Sequence, residues 1–180
     1  IVDYPGFEAL DAPDMETYSK ALNAGQYPMS VLAMNQWAAE TYRKGIYGNT
    51  MTANPRALDV GTTVLKSITP DIRQNIVERG KEFLSKFRAL QDELDGRITQ
   101  VQGTGLLFSI ELDSGRYKAY GSNSTEEYLR LHGINVIHGG ENSLRYTPTF
   151  GITSDEVDMI VSATRDALLN GPVKTIDQAA

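Results

Sequence analysis

The chain has 180 residues, 41% of them hydrophobic, which suits one fair-sized domain or two small ones with a real core and excludes a disordered chain. A formal net charge of −6 and a pI near 4.9 argue against a nucleic-acid surface or an anionic membrane as partner. There are no cysteines and only two histidines, His132 and His138, so disulfides and thiolate metal sites are excluded and no structural zinc site is expected. No apolar stretch approaches a bilayer span, and the first residues lack a basic-then-apolar signal pattern. The absence of cysteine is compatible with a reducing compartment, and a cytoplasmic location is expected. The opening IVDYPGFEALDAP has no initiator methionine and starts on an apolar pair, which reads as the middle of a longer protein.

Residues 14–34, DMETYSKALNAGQYPMSVLAM, predict a strand over Met15 to Tyr18, a small-residue turn, and a second, apolar strand over Met29 to Met34. A single lysine, Lys20, stands at the end of the first strand. On spacing alone a surface lysine is the commoner reading. NQWAAETYRKG (35–45) predicts a short helix closed by Gly45. Asn54-Pro55 is a helix start, with Asn at the cap and Pro at the first helical position. Ala57, Val60, Gly61, Val64, Leu65 and Ile68 recur at helical spacing. Thr69-Pro70-Asp71 restarts the helix at an angle, and Ile72, Ile76, Phe83, Phe87, Leu90 and Leu94 carry the stripe to Asp95-Gly96.

After residue 96 the texture changes. ITQVQ and LLFSIEL predict strands on either side of Gly103-Thr104-Gly105, where a bulge or bend is expected; a dinucleotide fingerprint is not, because strand rather than helix follows. Ser124 and Glu127 can form a capping box for a short helix ended by Gly133. INVIHGG and SLRYTP read as two short strands. Thr153 and Glu156 form a second box, opening a helix with Val157, Ile160, Val161, Thr164 and Leu168 inward until Gly171-Pro172 stops it.

DMETYSKALNAGQYPMSVLA, GNTMTANP, TGLLFSIEL and GINVIHGGENSLRYTPTFGITSDEVD occur in the order and at roughly the spacing of class III pyridoxal-phosphate aminotransferases. The resemblance covers residues 13 to about 169. It implies an α/β chain of the aspartate-aminotransferase-like fold (fold type I). Residues 1–54 would be the end of the cofactor-binding large domain, 55–95 a long interdomain helical arm, and 96–180 a small C-terminal α+β domain. It implies pyridoxal 5′-phosphate (PLP) as cofactor, an amino donor and a 2-oxo acid acceptor as substrates, and a homodimer with a shared active site. Lys20 then corresponds to the Schiff-base lysine: only an amine condenses with the cofactor aldehyde, and the released amine can move a proton. Thr50 corresponds to the threonine four residues before the Asn-Pro helix start that reaches the cofactor phosphate of the neighbouring subunit; Met51, Thr52 and Ala53 depart from the family's Gly-richer loop. Arg145 matches the arginine that forks a substrate carboxylate in many relatives. Its competing reading is a surface salt bridge on an edge strand.

The resemblance also implies a carboxylate on the cofactor's pyridine nitrogen, a ring-stacking aromatic and a Gly-rich phosphate cup. By the family's spacing these would lie before residue 1, so the chain alone is expected to be an incomplete enzyme, the C-terminal portion of one. Aminomutases, decarboxylases and racemases share this fold and lysine. A truncated dimerisation module is the non-enzymatic rival.

Overall fold

A computed structural model describes residues 11–46, 48 and 52–174. The chain divides into two compact units, Ile1–Thr69 and Pro70–Ala180.

In the first unit, β1 (Met15–Ser19) and β2 (Ser30–Met34) pair antiparallel, with Ser19 opposite Ser30 and Met15 opposite Met34. A single 3-10 turn, Lys20–Asn23, leaves β1, and Ala24 and Gly25 follow in left-handed backbone at φ 56° and 69°. The apolar second strand is exposed: Leu32 is 49% exposed, and Val31 and Met34 are exposed as well, as is Met15 of β1. Among the described residues this sheet has only two strands, and only Glu16, Tyr18 and Ala33, which share one face, are half-buried. The helix expected over 35–45 is shorter. As α1 it spans only Gln36–Glu40, capped by Asn35 Oδ1 accepting from Ala38 N (2.9 Å), and it closes where the Thr41 hydroxyl donates back to Ala38 O (2.7 Å). Gly45, at φ 90°, belongs instead to a separate turn that Ile46 N closes onto Arg43 O. Helix α2 (Pro55–Ser67) starts as its sequence dictates, with Asn54 Oδ1 accepting from Arg56 N (3.0 Å) and Pro55 in the first turn. It buries Ala57 and Gly61 and packs against the Lys20–Asn23 turn.

The second unit opens with α3 (Pro70–Glu93). The stretch expected as one arm thus holds two helices that belong to different units, α2 packing on the 3-10 turn and α3 on the sheet that follows. That sheet contains β3 (Ile98–Thr104), β4 (Leu107–Leu112), β5 (Ile137–Gly139) and β6 (Ser143–Tyr146), ordered β3-β4-β6-β5 and antiparallel throughout. Gly103 and Thr104 lie within β3, so the expected bend narrows to the two residues Gly105 and Leu106, while the register irregularity falls at Ile98/Gln100. Gly103 is required by a close approach: a Cβ there would come 2.3 Å from that of Phe108. Helix α4 (Thr125–Leu131) is capped by Ser124, but its box is displaced: the Glu127 carboxylate accepts from Asn123 N (2.7 Å), one residue further out, because Asn123 turns through φ 55° before the cap. Helix α5 (Ser154–Asn170) has the complete Thr153/Glu156 box.

The core of this unit is aromatic. Phe83 and Phe87 of α3 pack on Phe108 of β4 and Tyr146 of β6, with Phe83 and Phe108 centroids 4.4 Å apart and the Phe108 and Tyr146 rings stacked at 5.1 Å. Val157, Ala167 and Leu168 of α5 complete it. Tyr146 donates or accepts with Thr164 Oγ1 (2.9 Å), and burial pushes its phenol well above the ordinary value of 10, although that hydrogen bond works the other way.

Candidate functional site

Lys20 leaves β1 in left-handed backbone, φ 57°, where a side-chain-bearing residue is uncommon. Such geometry persists only where its surroundings hold it. Here Ser19 Oγ and Ser30 Oγ meet at 3.1 Å across the strand ends, and Asn23, wholly buried, donates from Nδ2 to Tyr27 O (2.9 Å). Ala24 N returns to Ala21 O (2.9 Å). Met29 packs within reach of Gly61, so α2 braces the turn from behind. The amine of Lys20 is exposed, and among the described residues no carboxylate lies within 4.0 Å of it. It is therefore chemically available. Asn23 Oδ1 is buried without a hydrogen-bond partner among the described residues, an acceptor left open three residues from the lysine. Sequence reading passed over Asn23 as a turn residue; a large polar side chain inside a small-residue turn was the signal.

Thr50 lies outside the described residues. The helix start after it, capped by Asn54, is described.

Arg145 stands in β6, opposite Ser109 of β4 and Ile137 of β5. Its neighbours Leu144 and Tyr146 turn into the core, so the guanidinium projects from the opposite face of the sheet and is exposed. The edge-strand alternative does not hold, because β6 is an interior strand flanked on both sides. Among the described residues no carboxylate lies within 4.0 Å of Arg145 either. A planar fork on a rigid strand with its donors uncommitted can take a carboxylate in two parallel hydrogen bonds. Lys20 and Arg145 belong to different units.

Asn142 was also missed. From the turn between β5 and β6 its Oδ1 accepts from Ala119 N (2.9 Å), and its Nδ2 donates to Leu112 O (3.0 Å) and Tyr117 O (3.3 Å). Its partners lie more than twenty residues away, so no local pattern announces it. Among the described residues no group of acidic or histidine side chains could hold a metal ion, and no helix is long and apolar enough to cross a membrane.

The family model for Aminotransferase class-III matches residues 7–168. The chain is 30% identical over 154 residues to the ornithine aminotransferase of Bordetella pertussis, covering 84% of this chain and 35% of that protein. Among solved structures it resembles the acetylornithine aminotransferase of Elizabethkingia anophelis, with TM-score 0.77 and 25% identity over 88% of this chain and 41% of that one. It also resembles the ornithine aminotransferase of Toxoplasma gondii, a protein with partial occupancy of PLP at its active site (TM-score 0.74, 26% identity, 87% of this chain and 37% of that one). The chain thus spans about a third of the length of the curated relatives it matches.

Proposed function

Because the chain belongs to the class III aminotransferase family, we propose that it supplies the lysine-bearing, C-terminal portion of a PLP-dependent enzyme that moves an amino group between an amine or amino acid and a 2-oxo acid. The observation that carries this reading is the exposed, unpaired amine of Lys20 on a braced turn in left-handed backbone. Backbone of that kind costs on the order of 1–3 kcal/mol and clusters at functional positions. The residue type present fits the cofactor: an exposed primary amine for its aldehyde.

When bound, PLP supplies the electron-withdrawing ring that takes up the electrons of the broken Cα–H bond. Lys20 would hold the cofactor through its amine, and as a base it would move the proton that leaves substrate Cα to the cofactor's C4′ carbon. The rigid strand end before Lys20 and the turn after it limit where that amine can swing. Arg145 grips a substrate carboxylate with its planar fork. Thr50 contributes a hydroxyl to the cofactor phosphate across a homodimer interface. The division into the end of a large domain, a helical bridge and a small α+β domain is part of the same proposal.

The test is activity of the full-length protein. Lys20→Ala is expected to lower the transamination rate by roughly three orders of magnitude or more, the loss typical of removing a covalent catalyst. Lys44→Ala should leave it within about twofold. A Lys20→Ala enzyme that turns over normally refutes the assignment.

A further inference from the structure

The second unit carries two half-open surface cavities, of about 330 Å³ and 250 Å³, that share Lys118. Together they have the size of a small-ligand site. The larger is lined by two cations, Lys118 and Lys174, with Ser122 and Asn123. Lys118 Nζ donates to Ser122 O (3.1 Å) and Lys174 Nζ to Ser114 O (2.7 Å). Both acceptors are neutral carbonyls, and among the described residues no carboxylate comes within 4.0 Å of either ammonium. Each ammonium has three donors, so two on each remain for another acceptor. Arg116 adds a third cation to the same segment, and Lys174 N is tied to Arg116 O (2.8 Å). The lining of the larger cavity thus carries two cations and no carboxylate, although the Glu127 carboxylate accepts from Asn123 N (2.7 Å) beside it.

The smaller cavity has a different wall. The Tyr120 and His138 rings meet at 4.1 Å between centroids and 32° between planes, with Glu141 and the backbone of Gly139 and Gly140 around them. The two walls come from separate stretches, the β4–α4 loop and the β5–β6 turn, and Asn142 joins them through its hydrogen bonds to Ala119, Leu112 and Tyr117. The cleft is therefore fixed before any ligand arrives, which lowers the ordering cost of binding.

We propose that this cleft binds a small molecule in which a flat ring is joined to a phosphate, a nucleoside monophosphate being the class that fits. The ring would pack on Tyr120 and His138 and the phosphate would lie between Lys118 and Lys174. Phosphate is favoured over carboxylate because two ammonium point charges suit an anion of about −2 better than one of −1. The Glu141 carboxylate can accept from an exocyclic amine on the ring.

The experiment is equilibrium binding of AMP to the full-length protein, with inorganic phosphate and adenosine as separate arms. AMP has no aldehyde and cannot form the covalent link assigned to Lys20. Saturable AMP binding is expected, with phosphate alone and adenosine alone each weaker by about tenfold or more. Lys118→Gln and His138→Ala, both exposed positions, should each weaken AMP by about tenfold at unchanged melting temperature, and Lys20→Ala should leave it unaltered. The proposal is overturned by no binding at about 10 mM AMP. It is equally overturned by binding that both cleft variants leave intact, by phosphate matching AMP, or by an affinity lost in Lys20→Ala.

Discussion

The two sheets among the described residues meet opposite fates. Leu32 of β2 is 49% exposed, whereas Leu144 of β6 is fully buried. Both strands are short, begin with serine and pair antiparallel with a neighbour. What separates them is cover: α3 and α5 supply Phe83, Phe87, Val157 and Leu168 to one face of the four-stranded sheet, while α2 packs on the turn after β1 rather than on β1 or β2. Burial is decided by what a strand meets, and its own apolarity states only that something should meet it. A two-stranded ribbon with an open face is marginal in water and prone to pair with another chain.

Truncation should separate the two sheets most sharply. Phe108→Ala removes a ring wedged against Phe83, Phe87 and Tyr146, and is expected to cost about 3–5 kcal/mol in urea unfolding of the second unit. Leu32→Ala, at an exposed site, should change stability by less than about 0.5 kcal/mol and reduce self-association in sedimentation. Equal costs would remove the contrast. A finer comparison uses the helix glycines. Replacing glycine by alanine inside a helix ordinarily stabilises by about 0.5–1 kcal/mol. At Gly80 of α3, however, the new methyl would come 2.4 Å from Gly105 O, a backbone atom in the hairpin, so Gly80→Ala is expected to destabilise by about 1–3 kcal/mol. At Gly61 of α2 it would meet the end of the flexible Met29 side chain at 3.1 Å, which can move, and Gly61→Ala should be close to neutral.

The smallest effect concerns pH. The Thr153 N–H and hydroxyl hold the Glu156 carboxyl below its ordinary value of 4.5 in the folded protein. A lowered folded value means that the stability from this box is fully present above the unfolded value and is lost as the pH falls through the folded one. Thr153→Ala should therefore lower the melting temperature near neutral pH and matter progressively less as the pH drops below 4.5. A difference that stays constant on acidification would assign the box no carboxylate component.

Features encoded within a few residues were legible in the sequence. Asn54-Pro55 and Thr153 with Glu156 cap their helices through contacts two or three residues away, and the α3 stripe places Phe83, Phe87 and Leu90 inward by period alone. Thr41 ending α1 before Gly45 was harder, because two local stop signals competed and the nearer hydroxyl won. The need for glycine at position 80 and the role of Asn142 were not legible, since each depends on partners brought together only by the fold. At the candidate site the sequence singled out Lys20 and Arg145, while the left-handed backbone of Lys20 and the open acceptor of Asn23 required coordinates.

The most direct test of the central claim is chemical. Full-length protein incubated with PLP and reduced with borohydride should carry the cofactor on a single peptide, and fragmentation should place it on Lys20. Label on Lys44 or Lys66 with Lys20 unmodified would contradict the assignment of the cofactor lysine.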